Sequence, residues 1–214
     1  MRRLILKMSM SLDGFVAGPN GESDWLFRHR DEGGTAWIAE TLWQAGVHAM
    51  GSRTYKDMVR YWPTASGPLA APMNEIPKVV FTRQPSLDPG PGHTATALPD
   101  KNRALEAAGG KVAVLNSPGA ASWAETEVVN GDLAAEIGRM KQQQGKDIVA
   151  HGGAGFAQSL AKLGLIDEYR LLVHPVALGA GLPLFSGLAK PMYLTLASTS
   201  IFASGVTARV YRPA

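Results

Sequence analysis

The segment Ile148-Val149-Ala150-His151-Gly152-Gly153-Ala154-Gly155-Phe156 constrains this chain more than any other. A strand-like apolar stretch runs into three glycines within four residues. Beyond them Phe156, Leu160 and Leu163 recur at spacings of four and three, as on one face of a helix. Strand followed by helix points to an α/β sheet with crossover helices. Glycine lets a ligand approach the backbone, and a helix N-terminus offers free N–H groups to an anion. The turn therefore points to a phosphate or pyrophosphate, with a plain strand-to-helix turn as the alternative.

The rest of the chain fits such a sheet. Residues 4–10 (LILKMSM) read as a first strand and 11–21 as a loop rich in turn formers. Residues 35–45 read as a helix, with Ile38, Leu42 and Ala45 on one face, and 47–51 as a strand. Ser52 stands where a helix N-cap belongs, before a helix over 53–59. Residues 78–82 make another strand, and 84–98, rich in Pro and Gly, an irregular stretch. A short helix is expected over 101–108, a strand over 111–115, a helix capped by Asp132 through 143, a strand over 147–151 and a helix over 156–163. Late strands over 168–173, 192–197 and 206–211 have no strong helical pattern between them, so the sheet is mixed and its back half antiparallel. No repeat and no linker divides residues 1–214, which are expected to form one domain.

Composition removes several classes. The net charge of +3 rests on 21 Lys and Arg against 18 Asp and Glu, and the longest basic run is Arg2-Arg3, so no nucleic-acid track is expected. No apolar run reaches about 18 residues, which excludes a membrane-spanning helix. The apolar run before Lys7 is too short for a signal-peptide core, so a cytoplasmic protein is expected. Without Cys there is no disulfide framework, thiolate zinc site or Cys nucleophile. The motifs GxxxxGK[ST], HExxH and GxSxG are missing. Histidines 29, 48, 93, 151 and 174 are scattered; His48 and His151 lie in strands and read as core or ligand-lining residues, and no metal site is expected.

Two further strand ends carry anion-binding groups: Gly51-Ser52-Arg53-Thr54 and Phe81-Thr82-Arg83. Ligands of open α/β sheets collect at the carboxyl ends of strands, so three such ends imply one extended ligand such as a dinucleotide. Taken singly, Arg53 and Arg83 read as solvated surface charges. The GxGxxG fingerprint is missing, which argues against a standard Rossmann domain.

In this order, the stretches LILKMSMSLDGFVAGPNGESDW (4–25), MGSRTYKDM (50–58), PKVVFTR (77–83) and DIVAHGGAGFAQSLAKLGLIDEYRLLVHPVALGAGLPLF (147–185) resemble the dihydrofolate reductase-like superfamily. The resemblance is closest to the C-terminal reductase domain of bacterial bifunctional riboflavin-biosynthesis proteins and its stand-alone relatives. It implies a mixed, mainly parallel sheet flanked by helices, with antiparallel C-terminal strands. It also implies an NADPH-dependent reductase acting on a small heterocycle of the 5-amino-6-(5-phosphoribosylamino)uracil type. Carried over, Gly152, Gly153, Ala154, Gly155 and Phe156 line the pyrophosphate, Gly51, Ser52, Arg53 and Thr54 meet the phosphates, Thr82 and Arg83 hold the 2′-phosphate, and the loop from Asp13 to Trp25 covers the nicotinamide.

Departures qualify the match. Relatives often carry Arg where Ser52 stands, and a hydroxyl cannot replace a guanidinium on phosphate, though Arg53 or Arg83 can compensate. The acidic residue that dihydrofolate reductases place on the pterin falls near Thr35, with Asp31, Glu32 and Glu40 close but unmatched. The zinc-deaminase signature of the bifunctional proteins is absent, and 84–122 is longer than the family leads one to expect. Asp13 can bind substrate or relay a proton, or simply make an Asx turn; Trp25 can stack on a heterocycle, or pack in the core. Adjacent Asp167 and Glu168 point to opposite faces of a strand and read as structural. The apolar run 171–178 needs cover on its second face, which implies a homodimer through the C-terminal half, with Leu172 at the interface. The alternatives to the reductase are a non-catalytic nucleotide-binding or oligomeric module and a pteridine or dihydrofolate reductase.

Overall fold

The computed structural model describes residues 1–84, 87, 119 and 121–214. The helix expected over 101–108 and the strand over 111–115 fall outside them, as does most of 84–122.

Eight strands form one sheet: β1 (Leu4–Ser11), β3 (Ala45–Gly51), β4 (Lys78–Phe81), β5 (Glu127–Val129), β6 (Asp147–His151), β7 (Glu168–His174), β9 (Leu194–Ile201) and β10 (Thr207–Pro213). Their order is β5-β4-β3-β6-β1-β7-β10-β9. From β5 to β7 every pair is parallel, and β10 and β9 close the sheet antiparallel. Two short strands, β2 (Phe15–Ala17) and β8 (Leu182–Pro183), pair separately.

Parallel strands must be covered on both faces, and the alternation of side chains decides which neighbour covers which residue. Leu4, Leu6, Ala49, Ile148 and Ala150 pack on one face against Ile137 and Met140 of a helix over Leu133–Gln142 (α5) and Leu160 of one over Ala154–Lys162 (α6). On the other face Met50 and Val80 meet Leu42 of α1 (Glu32–Trp43), Val59 of α2 (Ser52–Tyr61), Met73 of α3 (Ala70–Glu75) and Trp123 of α4 (Ala121–Ala124).

Local chemistry moves several boundaries. Asp31 accepts from Gly34 N at 2.6 Å and caps α1, so that helix starts at Glu32, and Ala45 opens β3 rather than ending the helix. Asp132 caps α5 through Ala135 N at 2.8 Å, as expected. Ser52 is the first helical residue and makes no capping bond; the N-cap is Gly51. The glycine turn also enters its helix earlier than expected, at Ala154.

The apolar run of β7 does not wait for a second copy. Leu171 and Leu172 are 4 % and 2 % exposed within one chain, because β7 is flanked by β1 and β10 and covered on both faces. The burial argument that placed Leu172 at a dimer interface is therefore overturned. Exposed apolar side chains lie instead at Tyr193, Leu196 and Ile201, along the edge strand.

Asp167 and Glu168 hold the structure, as their adjacency implies. Asp167 Oδ2 accepts from Leu4 N and from Lys141 Nζ, both at 2.6 Å, tying β1 to α5. Glu168, 1 % exposed, meets Arg170 at 2.8 Å, Arg212 at 3.0 Å and Arg3 at 3.1 Å. Burial alone would raise its pKa, but hydrogen bonds from Arg170 and Arg212 and the charges of Arg170 and Arg3 outweigh it, leaving the carboxyl below its ordinary value. Glu168→Gln should destabilise the fold by about 3 kcal/mol, since it leaves the nearly buried Arg170 without its anion. Urea unfolding at neutral pH checks this, and a midpoint equal to wild type would refute it.

Candidate functional site

The carboxyl ends of β4, β3 and β6 lie side by side, which brings together the three glycine- and hydroxyl-bearing segments singled out in the sequence. Gly51 pairs with Phe81 across β3 and β4. Gly153 N donates to Thr54 Oγ1 at 2.6 Å, joining the turn after β6 to the first turn of α2. The Phe156 ring stacks on Phe81 at 5.3 Å, and a Cβ on Gly51 would stand 3.1 Å from Phe156 Cβ. Phe156 therefore has a packing role in its side chain, whatever its backbone meets.

Both α2 and α6 open at this edge, and neither has a side-chain cap; their N-caps are Gly51 and Gly153. By contrast α1 and α5 are capped by aspartates. First-turn N–H groups of α2 and α6 are thus left without a capping side chain. The glycines of the turn differ in why they are needed. A Cβ on Gly152, which is joined to Gly153 by a cis peptide, would meet Met8 Sδ at 2.7 Å. A Cβ on Gly153 would stand 3.1 Å from Thr54 Oγ1, whereas one on Gly155 would meet nothing within 4 Å. Arg53 and Arg83 are exposed, and Thr82 Oγ1 accepts from Gln84 N at 3.0 Å.

Beside these ends a cleft of about 160 Å³ lies between the sheet and α1. A cavity of about 150 Å³ holds one benzene ring, so the space suits a single planar ring. Lys7 and Ser9 of β1, His151 of β6, Leu172 and His174 of β7, and Thr35 and Ile38 of α1 line it. Burial, helped by the charge of Arg30, pushes the Lys7 ammonium down to about 8. Burial, with the charges of His29 and Lys7, pushes His174 down to about 4.

The cleft has no free carboxylate among the described residues. Asp31 lines it, but its oxygens accept from Gly34 N at 2.6 Å and Ser204 N at 2.7 Å. Thr35, the position nearest to the pterin acid of dihydrofolate reductases by spacing, stands on the cleft wall, and its hydroxyl donates to Asp31 O. Asp13 is likewise engaged: its carboxylate accepts from Ser11 Oγ at 2.6 Å, Leu178 N at 3.0 Å and Gly179 N at 2.8 Å. It clasps the loop after β1 to the loop after β7 and does not line the cleft. Trp25, 6 % exposed, packs edge-on against His174 at 5.3 Å, and its Nε1 is buried without a partner, as are Nδ1 of His174 and His29.

Lys7, Ser9 and His174 escaped the sequence reading. The signal was present: Lys7, Ser9 and Ser11 alternate along the first strand, and polar residues at period two mark one face. No cluster of three or more potential metal ligands occurs among the described residues, and none of their helices is long and apolar enough to cross a membrane.

The chain is 30% identical over 210 residues to the uncharacterised protein YyaP of Bacillus subtilis, covering 98% of this chain and 94% of that protein. Among solved structures it resembles a putative riboflavin biosynthesis protein of Shewanella, with 21% identity, a TM-score of 0.67 and coverage of 100% and 99%. It also resembles the diaminohydroxyphosphoribosylaminopyrimidine deaminase/5-amino-6-(5-phosphoribosylamino)uracil reductase of Thermotoga maritima, with 16% identity and a TM-score of 0.64, spanning all of this chain and 57% of that one. These likenesses carry the dihydrofolate reductase-like fold expected from the sequence. The model of the RibD C-terminal domain matches residues 2–208, and the chain belongs to that family.

Proposed function

We propose that the chain is an NADPH-dependent reductase that transfers a hydride to a small planar heterocycle, of the class of the aminouracil named for the Thermotoga protein. One observation carries the reading: two uncapped helix starts meet at adjoining carboxyl ends of a parallel sheet, beside a ring-sized cleft that contains a lysine. Helix N-termini without side-chain caps fit a pyrophosphate. The backbone of Gly152, Gly153, Ala154, Gly155 and Phe156, with Ser52 and Thr54, would hold it, and Thr82 and Arg83, with Arg53, would supply hydroxyl and cations to a 2′-phosphate. Bound NADPH supplies the hydride. Lys7 supplies the matching proton, because an ammonium whose pKa is about 8 is largely protonated at neutral pH yet releases its proton readily. That the described residues lining the cleft include no free carboxylate favours this substrate over a dihydropterin, whose ring the dihydrofolate reductases bind through one.

Three outcomes test the reading. Gly155→Ala should leave thermal stability unchanged or slightly raised, since its Cβ meets no atom, while weakening NADPH about ten-fold by calorimetry. Equal affinity would remove the turn from the cofactor site. Arg83→Ala should weaken NADPH more than NADH, by about 1.5–3 kcal/mol, as loss of a charged hydrogen bond to the 2′-phosphate requires. Finally, kcat/KM for reduction should fall as pH rises through about 8, as Lys7 loses its proton, and Lys7→Met should lose both the activity and this limb. A rate that stays level to pH 9 in wild type would assign the proton elsewhere.

A further inference from the structure

Two imidazoles meet at the floor of the cleft. His48 of β3 is fully buried; His151, the last residue of β6, is 4 % exposed and lines the cleft. His48 Nε2 lies 3.1 Å from the carbonyl oxygen of Pro72, and His48 Nδ1 lies 2.9 Å from His151 Nε2. A carbonyl oxygen has no proton to give, so the first contact requires the proton on His48 Nε2. In a neutral ring His48 Nδ1 is then a lone pair, and the proton of the second contact belongs to His151 Nε2. The remaining nitrogen, His151 Nδ1, is left as a lone pair. Both rings are held neutral: burial first, and then the charges of Lys78 and Lys7, push His48 down to about 4 and His151 well below its ordinary value.

We infer that His151 is a specificity-determining residue whose Nδ1 accepts a hydrogen bond from a ring N–H of the substrate, and that His48 is the positioning residue that sets its tautomer. The inference rests on the reading of the cleft as the substrate site of a reductase. Lys7 pairs with His151 in parallel register across β1 and β6, strands about 4.8 Å apart, and both residues line the cleft. An acceptor beside a donor reads an N–H beside a C=O, the edge of a cyclic amide. A ring nitrogen without hydrogen would set lone pair against lone pair, and an N-methyl group would leave Nδ1 unpaired. His151, having no proton on the nitrogen that remains, cannot protonate the substrate, which leaves that task to Lys7.

The test uses 2-pyridone and 1-methyl-2-pyridone, which share the carbonyl and differ in the N–H. NMR titration of the wild-type protein should show a preference of at least about ten-fold for 2-pyridone. In His151→Leu the ratio should fall to near one. His48→Leu should reduce it too, because the ring of His151 is then free to place its proton on Nδ1. His48→Gln should restore it, since a glutamine carbonyl can accept from His151 Nε2 while its amide donates to Pro72 O. A merely structural His48 would change melting temperature without changing this ratio. Nitrogen-15 NMR of the two rings should find protons on both Nε2 atoms. A proton on His151 Nδ1, or an equal ratio in wild type and His48→Leu, would overturn the inference. NADPH titration of the wild type tests the reductase reading separately: its failure would discard that reading, while the pyridone ratio would still decide the role of His151.

Discussion

Parallel pairing of β1 with β6, from Leu4 against Ile148 to Lys7 against His151, is the constraint on which the rest depends. Parallel strands send all their carboxyl ends to one edge, and their register decides which side chains share a face. The run of pairs that buries Leu4, Leu6, Ile148 and Ala150 against α5 and α6 also places Lys7 and His151 together on the opposite face. A shift by one residue would exchange the two sets and put the lysine among Ile137 and Leu160. The apolar side of these strands thus secures the polar side, and folding stability and site geometry have one cause.

Glycine has two separate uses at the carboxyl edge. Gly152 and Gly51 are demanded by the protein itself, since a Cβ would press on Met8 or Phe156. Gly155 is demanded by nothing among the described residues, since a Cβ there would meet no atom within 4 Å. A residue without a packing reason, at the second position of a helix that has no capping side chain, is where a close approach from outside is the remaining physical explanation.

Much of this was legible in the sequence because it rests on local pattern. The strand over 147–151, the Asp132 cap and the three glycine- and hydroxyl-bearing strand ends follow from periodicity and turn chemistry, and the neighbourhood of those ends follows from the rule for open sheets. What was not legible depended on distant partners. Three-residue β5 and two-residue β8 are too short to carry a period. Leu172 read as an uncovered face because no helix follows Leu163, whereas the Leu172 side chain lies across the cleft from α1, far upstream in the chain. Asp13 read as either a substrate-binding carboxylate or an Asx turn, and its neighbours Leu178 and Gly179 lie more than 160 residues away. Lys7 read as a charge break, for a lysine inside a central strand violates the ordinary burial rule.

That violation is informative when set against the treatment of the carboxylates. Glu168 is surrounded by three arginines, and Asp31 and Asp13 have their oxygens filled by backbone N–H groups. Each is a charge used for structure, and each is neutralised or solvated by the chain. Lys7 receives no carboxylate partner among the ion pairs of the described residues; it shares the cleft with Arg30, His151, His174 and an Asp31 whose oxygens are taken by backbone N–H groups. Lys78, 3 % exposed and pushed by burial to about 7, is a second ammonium without a carboxylate partner among the described residues, held instead by Ser122 Oγ and the ring of Trp123; Lys7 differs in lining a ring-sized cleft. Perturbed groups of this kind gather where chemistry needs them, and here the perturbation lies one strand from the glycine turn. In the proposed reductase, the acceptor His151 and the donor Lys7 belong to one device: the first would orient a ring, and the second would protonate it.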